Sequence, residues 1–279
     1  MSKQNENIAF VRRGKTRTAA AASEMAKPYV EYAFLCAVVY DAPDNPVRLQ
    51  DTAFLATRGW QQWQDAPIIA QPKDWWRYNL GGLDYEVWEK QELDGVTAAI
   101  VFRGTDGRDD WWSNLRWITR AVPFVRDHYM QVKYLTPRLI QAIDERHGKP
   151  IPILTSGHSL GGGLAQQAAY VSDHIKRVYA FNSTPVTGFY GVPDPPRRQN
   201  IKGIQIKRIY EHGEILAYVR RFMRLFNPLT VQDPEIIEIR FNLLGKMDAI
   251  GQHNMRKLAY NLKRKADEGI VAPQPALHF

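Results

Sequence analysis

Thr155-Ser156-Gly157-His158-Ser159-Leu160-Gly161-Gly162-Gly163-Leu164-Ala165 is the stretch that decides the fold. Ile151, Ile153 and Leu154 lead into it as a short apolar run, the pattern of a buried strand. Residues Leu164 to Val171 follow as an alanine-rich segment with good helix propensity. Between strand and helix sits G-x-S-x-G, the sequence of a nucleophile elbow. The glycines two residues either side of Ser159 let the chains cross where side chains would clash. The turn pushes Ser159 Oγ out of the backbone and aims the positive end of the following helix beside it. Without an active serine the same residues would only pack a helix closely on a strand.

Working outward, Asp84 to Lys90 alternates polar and apolar residues, and Val96 to Phe102 is a second strand, with Asp94-Gly95 as hairpin turn chemistry between them. The pattern then predicts a helix from about Tyr129 to Arg146 and strands at Lys176–Phe181 and Ile204–Tyr210. Strands alternating with helices imply a largely parallel central sheet with helices on both faces. Nearer the start, a helix is expected from Ser23, as its cap, to Tyr40, ended by Asp41 to Pro46. Residues 47–80 read as loop-rich and aromatic, with Trp60, Trp63, Trp75, Trp76 and Tyr78. The expected division is a mobile basic arm over residues 1–23, one α/β domain over 24–265 and a tail over 266–279.

The 279 residues are 44% apolar, enough for one sizeable core. Lys and Arg number 37 against 29 Asp and Glu, a formal net charge of +8 that favours anionic partners. The basic residues are scattered and no nucleic-acid motif appears, so no specific nucleic acid is expected. The single cysteine, Cys36, lies in an apolar run and reads as a buried structural thiol. No apolar stretch has the length of a signal-peptide core or of a membrane span. The expectation is a soluble protein, cytoplasmic or exported by a route without a cleaved signal.

A serine nucleophile needs a base, and the base needs an orienting acid. With the elbow the acid and then the histidine follow the serine in the chain. His128, His147 and His158 precede Ser159. His174 falls near the far end of the elbow helix, His278 is penultimate, and His212 stands where the acid belongs. His253 remains as the base. Catalytic groups in α/β folds gather at the C-terminal ends of strands. The strand ending at Tyr210 runs into Glu211-His212-Gly213-Glu214, and Glu214 is preferred as the acid, with Glu211 as its rival ahead of Asp194, Asp233 and Asp248. The backbone N–H of Leu160 supplies one oxyanion donor. Thr105, in Phe102-Arg103-Gly104-Thr105, is the candidate for the other.

These residues resemble the fungal-type class 3 lipase family. The resemblance is carried by Phe102-Arg103-Gly104-Thr105, by Asp110-Trp111-Trp112 with Asn114-Leu115, by residues Gly157 to Ala165, and by Glu214 and His253. It spans roughly residues 25–262. It implies an α/β-hydrolase fold with a lid after the Phe102 strand, hydrolysis of lipid carboxylic esters through an acyl-enzyme, and Thr105 in the oxyanion hole. That mechanism requires no metal and no organic cofactor. Two departures stand out: the family usually carries aspartate where this chain has Glu214, and the stretch between Glu214 and His253 is enlarged.

The lid-like segment, residues 106–127, mixes Trp111, Trp112 and Trp117 with Arg108, Arg116, Arg120 and Arg126, a composition suited to a lipid headgroup zone. Residues Ile215 to Phe226 form a second basic amphipathic stretch, with Arg220, Arg221 and Arg224 on one helical face. The expected partner is a lipid substrate at a membrane or micelle interface, with phospholipid favoured by attraction to an anionic surface. Two rival readings stand beside it: a small-ester or amide hydrolase on the same fold, and a catalytically silent lipid- or partner-binding module.

Overall fold

The computed structural model describes residues 6–64, 66, 83–104, 122–214, 216, 229–245 and 251–268. The chain opens with a hairpin, Ile8–Arg13 (β1) and Thr16–Ala21 (β2), closed by Gly14-Lys15 with Gly14 at φ 57°. Positive φ is what a two-residue hairpin loop demands, and glycine supplies it without strain. Ala22–Ala26 (α1) follows, then a single 3-10 turn at Lys27–Tyr29, then Val30–Val38 (α2). The helix expected from Ser23 is therefore interrupted, because Pro28 brings no N–H to the helical ladder. Ser23 is not its cap either: Ala21 holds that position, without a side-chain hydrogen bond.

Pro46–Thr57 (α3) arises inside the stretch expected to be loop. Asn45 caps it by accepting the Val47 N–H at 2.9 Å, and Pro46 occupies the first turn, where no N–H is missed. Trp60–Gln62 (β3), Tyr85–Glu92 (β4) and Gly95–Phe102 (β5) form an antiparallel edge. Val122–His147 (α4) precedes Ile153–His158 (β6), and Leu160–Val171 (α5) leads to Ile175–Phe181 (β7). Pro196–Asn200 (α6), Gln205–Glu211 (β8), Glu235–Phe241 (β9) and Met255–Glu268 (α7) complete the described elements.

Among the described residues, nine strands make one sheet in the order β2-β1-β9-β8-β7-β6-β5-β4-β3. The central run from β5 to β9 is parallel, and antiparallel strands flank it on both sides. Strand alternation divides the core in two. Ala99, Val101, Leu154, Phe181, Ile209 and Ile239 meet α1, α2 and α7 on one face, while Ala98, Ile100, Phe102, Val178 and Ile206 meet α4 and α5 on the other. This is the α/β-hydrolase fold. Cys36 of α2 is buried, with Sγ 3.0 Å from Ser156 Oγ, and burial pushes its thiol up to about 12. Among the described residues no helix is long and apolar enough to cross a membrane.

Two expectations change. Residues 8–21 are not a mobile arm but the last two strands of the sheet: β1 pairs with β9 from Phe10–Arg240 to Arg13–Ile237. The stretch between Glu214 and His253 contributes β9, which lies between β8 and β1. Trp75, Trp76 and Tyr78 of the aromatic segment, Thr105 and residues 106–121 of the lid-like segment, most of the amphipathic stretch (215 and 217–226), Asp248 and the tail beyond 268 lie outside the described residues.

Removal of residues 1–21 would strip β9 of its neighbour and expose Ile237 and Ile239 along an unpaired edge. The truncated chain is expected to melt ~5 °C or more below the full chain and to aggregate faster, read by thermal denaturation and light scattering. A melting temperature equal to that of the full chain would return these residues to the status of a dispensable arm.

Candidate active site

Parallel register brings one end of β5, β6, β7, β8 and β9 together, because Phe102 pairs with Gly157, His158 with Phe181, Phe181 with Ile209, and Glu211 with Phe241. Ser159 follows β6 directly, at φ 57° and ψ −122°. A non-glycine residue there is strained, and it persists only where its surroundings over-determine it. The Ser159 N–H donates to Phe181 O at 3.0 Å, and its carbonyl accepts from Gly162 and Thr184 N–H at 3.1 Å each. Gly157 and Gly161 permit the crossing: a Cβ on Gly157 would overlap the Gly161 carbonyl, and one on Gly161 would overlap the Phe102 carbonyl. The elbow is thus fastened to the exits of β5 and β7.

β8 ends at Glu211, and the chain reverses through Gly213 at φ 80°. The reversal carries Glu214 inward to complete burial, where Oε2 accepts the Leu216 N–H at 3.0 Å and lies 2.8 Å from His253 Nδ1. His253, 5% exposed, ends a 3-10 turn at Gly251–His253 immediately before α7. Arg256 of α7 pairs with Asp41 and Asp51, and Tyr260 donates to Asp51 at 2.6 Å, so the helix that begins beyond His253 is anchored to the connection after α2 and to α3. A carboxylate only accepts, so the assignment that satisfies this pair puts the proton on His253 Nδ1 and makes Nε2 the basic nitrogen.

The rival acids are engaged elsewhere. Glu211 is 1% exposed and turns to the other loop, where its Oε1 accepts the Leu244 N–H at 2.9 Å. Burial pushes its carboxyl up to about 7, against the pull of N–H donors from Leu244, Leu243 and His212. Asp194 pairs with Arg197 and Arg198, and Asp233 accepts the Gly203 N–H at 2.8 Å at the opposite end of the sheet. Among the other histidines, His147 pairs with Glu89 at 3.0 Å and His174 lies 3.8 Å from Asp144.

Gly104 brings the exit of β5 against the elbow. A Cβ on it would lie 2.7 Å from His158 O and 3.4 Å from Ser159 Cβ. Leu160 begins α5 beside Ser159 and is 6% exposed. Thr105, Trp111, Trp112 and Trp117 lie outside the described residues. Among the described residues, no three His, Cys, Asp or Glu side chains converge as metal ligands would.

Three side chains at this site gave no signal in the sequence. His158, passed over because it precedes Ser159, is buried with Nε2 2.8 Å from His253 O. Tyr40 reaches it from the end of α2, with Oη 3.1 Å from His158 Nδ1. Asn182, at φ 40°, accepts the Glu211 N–H at 2.8 Å through Oδ1 and donates to Gln252 O at 3.3 Å. His158 fills an unspecified position of the elbow motif, Tyr40 and Asn182 belong to no motif, and only the register unites the three.

The fold and the family match place the protein among the lipid ester hydrolases. The chain belongs to the phospholipase-like family, matching the model of the Tle-like phospholipase domain over residues 31–252. Its structure is also similar to that of lipase II from Rhizopus niveus, at 17% identity and a TM-score of 0.48, over 79% of this chain and 80% of that one. No curated protein matches the chain.

The environment of Glu211 makes a pH prediction. A carboxyl raised from 4.5 to about 7 in the folded state holds its proton while the unfolded chain has lost it. Its contribution to stability is complete below about pH 4.5 and is lost as pH rises through about 7, a change on the order of a few kcal/mol. Glu211→Gln keeps the acceptor for Leu244 and cannot ionise. Thermal melts at pH 5 and pH 8 should place the variant near wild type at the lower pH and ~5 °C above it at the higher. A gap that does not change with pH would show that Glu211 is already ionised at pH 5.

Proposed function

We propose that the protein is a serine hydrolase of phospholipid acyl esters, with Ser159 as nucleophile, His253 as general base and then acid, and Glu214 as the group that orients and stabilises His253. One observation carries the reading. A fully buried Glu214 faces His253 Nδ1 at 2.8 Å, at the same sheet edge as a serine held at φ 57° on a strand–helix elbow.

Ser159 Oγ attacks the ester carbonyl carbon while its proton passes to His253 Nε2. The imidazolium that forms lies against Glu214, which favours the charged ring and keeps the tautomer fixed. Negative charge on the carbonyl oxygen is met by the Leu160 N–H at the start of α5 and by Thr105, just beyond Gly104. Collapse of the tetrahedral intermediate breaks the carbonyl–oxygen bond, and His253 returns its proton to the departing lysophospholipid alcohol. Water, deprotonated by His253, then releases the fatty acid from Ser159.

The preference for phospholipid rests on the family description, on the excess of basic over acidic residues, and on the mixed tryptophan and arginine segment that contains Trp111, Trp112 and Trp117. Aromatic side chains suit the headgroup layer, and arginine pairs with phosphate in two-point geometry. The working environment is accordingly a lipid interface with anionic headgroups.

Wild type and Ser159→Ala incubated with mixed phospholipid and triacylglycerol dispersions provide the test, with products identified by mass spectrometry. Fatty acid and lysophospholipid are expected from wild type only. Release from triacylglycerol alone would keep the chemistry and overturn the phospholipid assignment, and cleavage of short esters alone would support a small-ester hydrolase. Equal release from both proteins would remove Ser159 as nucleophile. In the same assay Glu214→Gln should lose roughly 10³–10⁴ in kcat, because an amide cannot hold the imidazolium. Glu211→Gln should stay within about threefold of wild type, and reversal of that order would exchange the roles of the two acids.

A further inference from the structure

We infer that Tyr40 and His158 are positioning residues, which set the place of the His253 backbone beside Ser159 and tie it to the end of β5, next to Thr105, one of the two proposed oxyanion donors. The inference rests on the hydrolase reading above. It adds a polar relay of defined direction that no motif in the chain marks.

The direction follows from counting protons. His158 is buried, and its pKa is well below the ordinary histidine value because burial, and then the nearby His253, disfavour the charged ring. A neutral imidazole has one N–H. Its Nε2 stands 2.8 Å from the His253 carbonyl, which only accepts, so the proton is on Nε2. His158 Nδ1 is then a lone pair, and the Tyr40 hydroxyl, 3.1 Å from it and 3.4 Å from the His158 carbonyl, donates to the nearer nitrogen. The Tyr40 oxygen in turn accepts the Gly104 N–H at 3.0 Å. The result is one run of donors: Gly104 N–H to Tyr40 Oη, Tyr40 O–H to His158 Nδ1, His158 Nε2–H to His253 O.

The run joins segments that are remote in the chain, with steps of 64, 118 and 95 residues. At one end is Gly104, packed against Ser159 and next to Thr105. At the other is the carbonyl of His253. Asn182 holds the preceding carbonyl, that of Gln252, from the end of β7. Side chains from the ends of β6 and β7 thus hold two successive carbonyls, while Glu214 holds the ring. A displacement of the ring by about 1 Å can cost about a hundredfold in rate, so a relay of this kind acts on kcat.

The test uses the full chain and the variants Tyr40→Phe, His158→Leu and His158→Gln. Each is assayed for kcat and KM on a short-chain ester, for the rate of Ser159 labelling by a fluorophosphonate, and for melting temperature. Tyr40→Phe should lower kcat about tenfold with KM within about twofold. His158→Leu should lower it about a hundredfold. His158→Gln, whose amide can donate to His253 O and accept from Tyr40, should recover most of the loss, which restored packing alone would not achieve.

Nitrogen NMR of histidine-labelled wild type gives a readout independent of the variants: His158 should remain neutral, with its proton on Nε2, from pH 5 to pH 9. Wild-type kcat in both Tyr40→Phe and His158→Leu would overturn the relay, as would titration of His158 in that range. Failure of His158→Gln to exceed His158→Leu would also count against it. A folded wild type whose Ser159 is not labelled would overturn the hydrolase reading itself, and the relay's catalytic role with it.

Discussion

The crossing of backbones at the elbow constrains the rest of the structure. Ser159 is held at φ 57° and ψ −122°, a conformation that costs a non-glycine residue about 1–3 kcal/mol. Gly157 must sit against the Gly161 carbonyl, and Gly161 against the Phe102 carbonyl, with no room for a methyl group at either. These contacts fix the start of α5 against the exits of β5 and β6. The same contacts require β5, β6 and β7 to be adjacent, parallel and in register. The sheet order is therefore linked to the chemistry: a slip of one residue between β5 and β6 would move Phe102 away from Gly157 and leave Ser159 without its enclosing wall.

Once that crossing is set, the remaining site groups arrive by position along the sheet edge. β8 delivers two carboxylates three residues apart, and the glycine turn between them sends them to different loops. Glu211 stays under the connection after β9 and bonds to the Leu244 amide, whereas Glu214 passes Gly213 and meets the His253 ring. Two similar acids acquire different properties from their surroundings, a recurrent way to assign roles within one site. His212 lies between them, and burial, then Arg240 and Arg17, depress its pKa. Its charged form is thus disfavoured in the turn that carries Glu214.

The legible parts of this protein are those encoded locally. The elbow, the hairpin at Asp94-Gly95, strands β5 to β8 of the parallel core and the long helix before β6 each carry their own periodicity or turn chemistry. The pairing of Glu214 with His253 was accessible because chain order and strand ends restrict where an acid and a base can lie. What could not be read depends on distant partners. Residues 8–21 look like a basic arm because the hairpin joins the sheet only through the pairing of β1 with β9, itself hidden in a stretch with no motif of its own. Tyr40 lies just beyond α2 in no recognisable motif, and its role appears only where Gly104 and His158 converge on it.

His158 illustrates how elimination by chain order leads to the imidazole that meets Glu214 and still passes over a second one at the same sheet edge. The order rule asks which imidazole can receive a proton from Ser159, and a residue next to the serine on a rigid strand end cannot turn to do so. That rigidity is what makes it useful in another way. A buried, neutral ring with one donor and one acceptor, fixed beside the nucleophile, transmits the position of one backbone segment to another without taking on charge. Tyr40 suits the acceptor side because a phenol gives one proton and takes one, so it serves the Gly104 amide and the His158 lone pair together. The network couples the groups that would meet the oxyanion to the group that would move the proton. Both must be in place when the tetrahedral intermediate forms, and a shared scaffold of short hydrogen bonds lets one fold satisfy the two requirements at once.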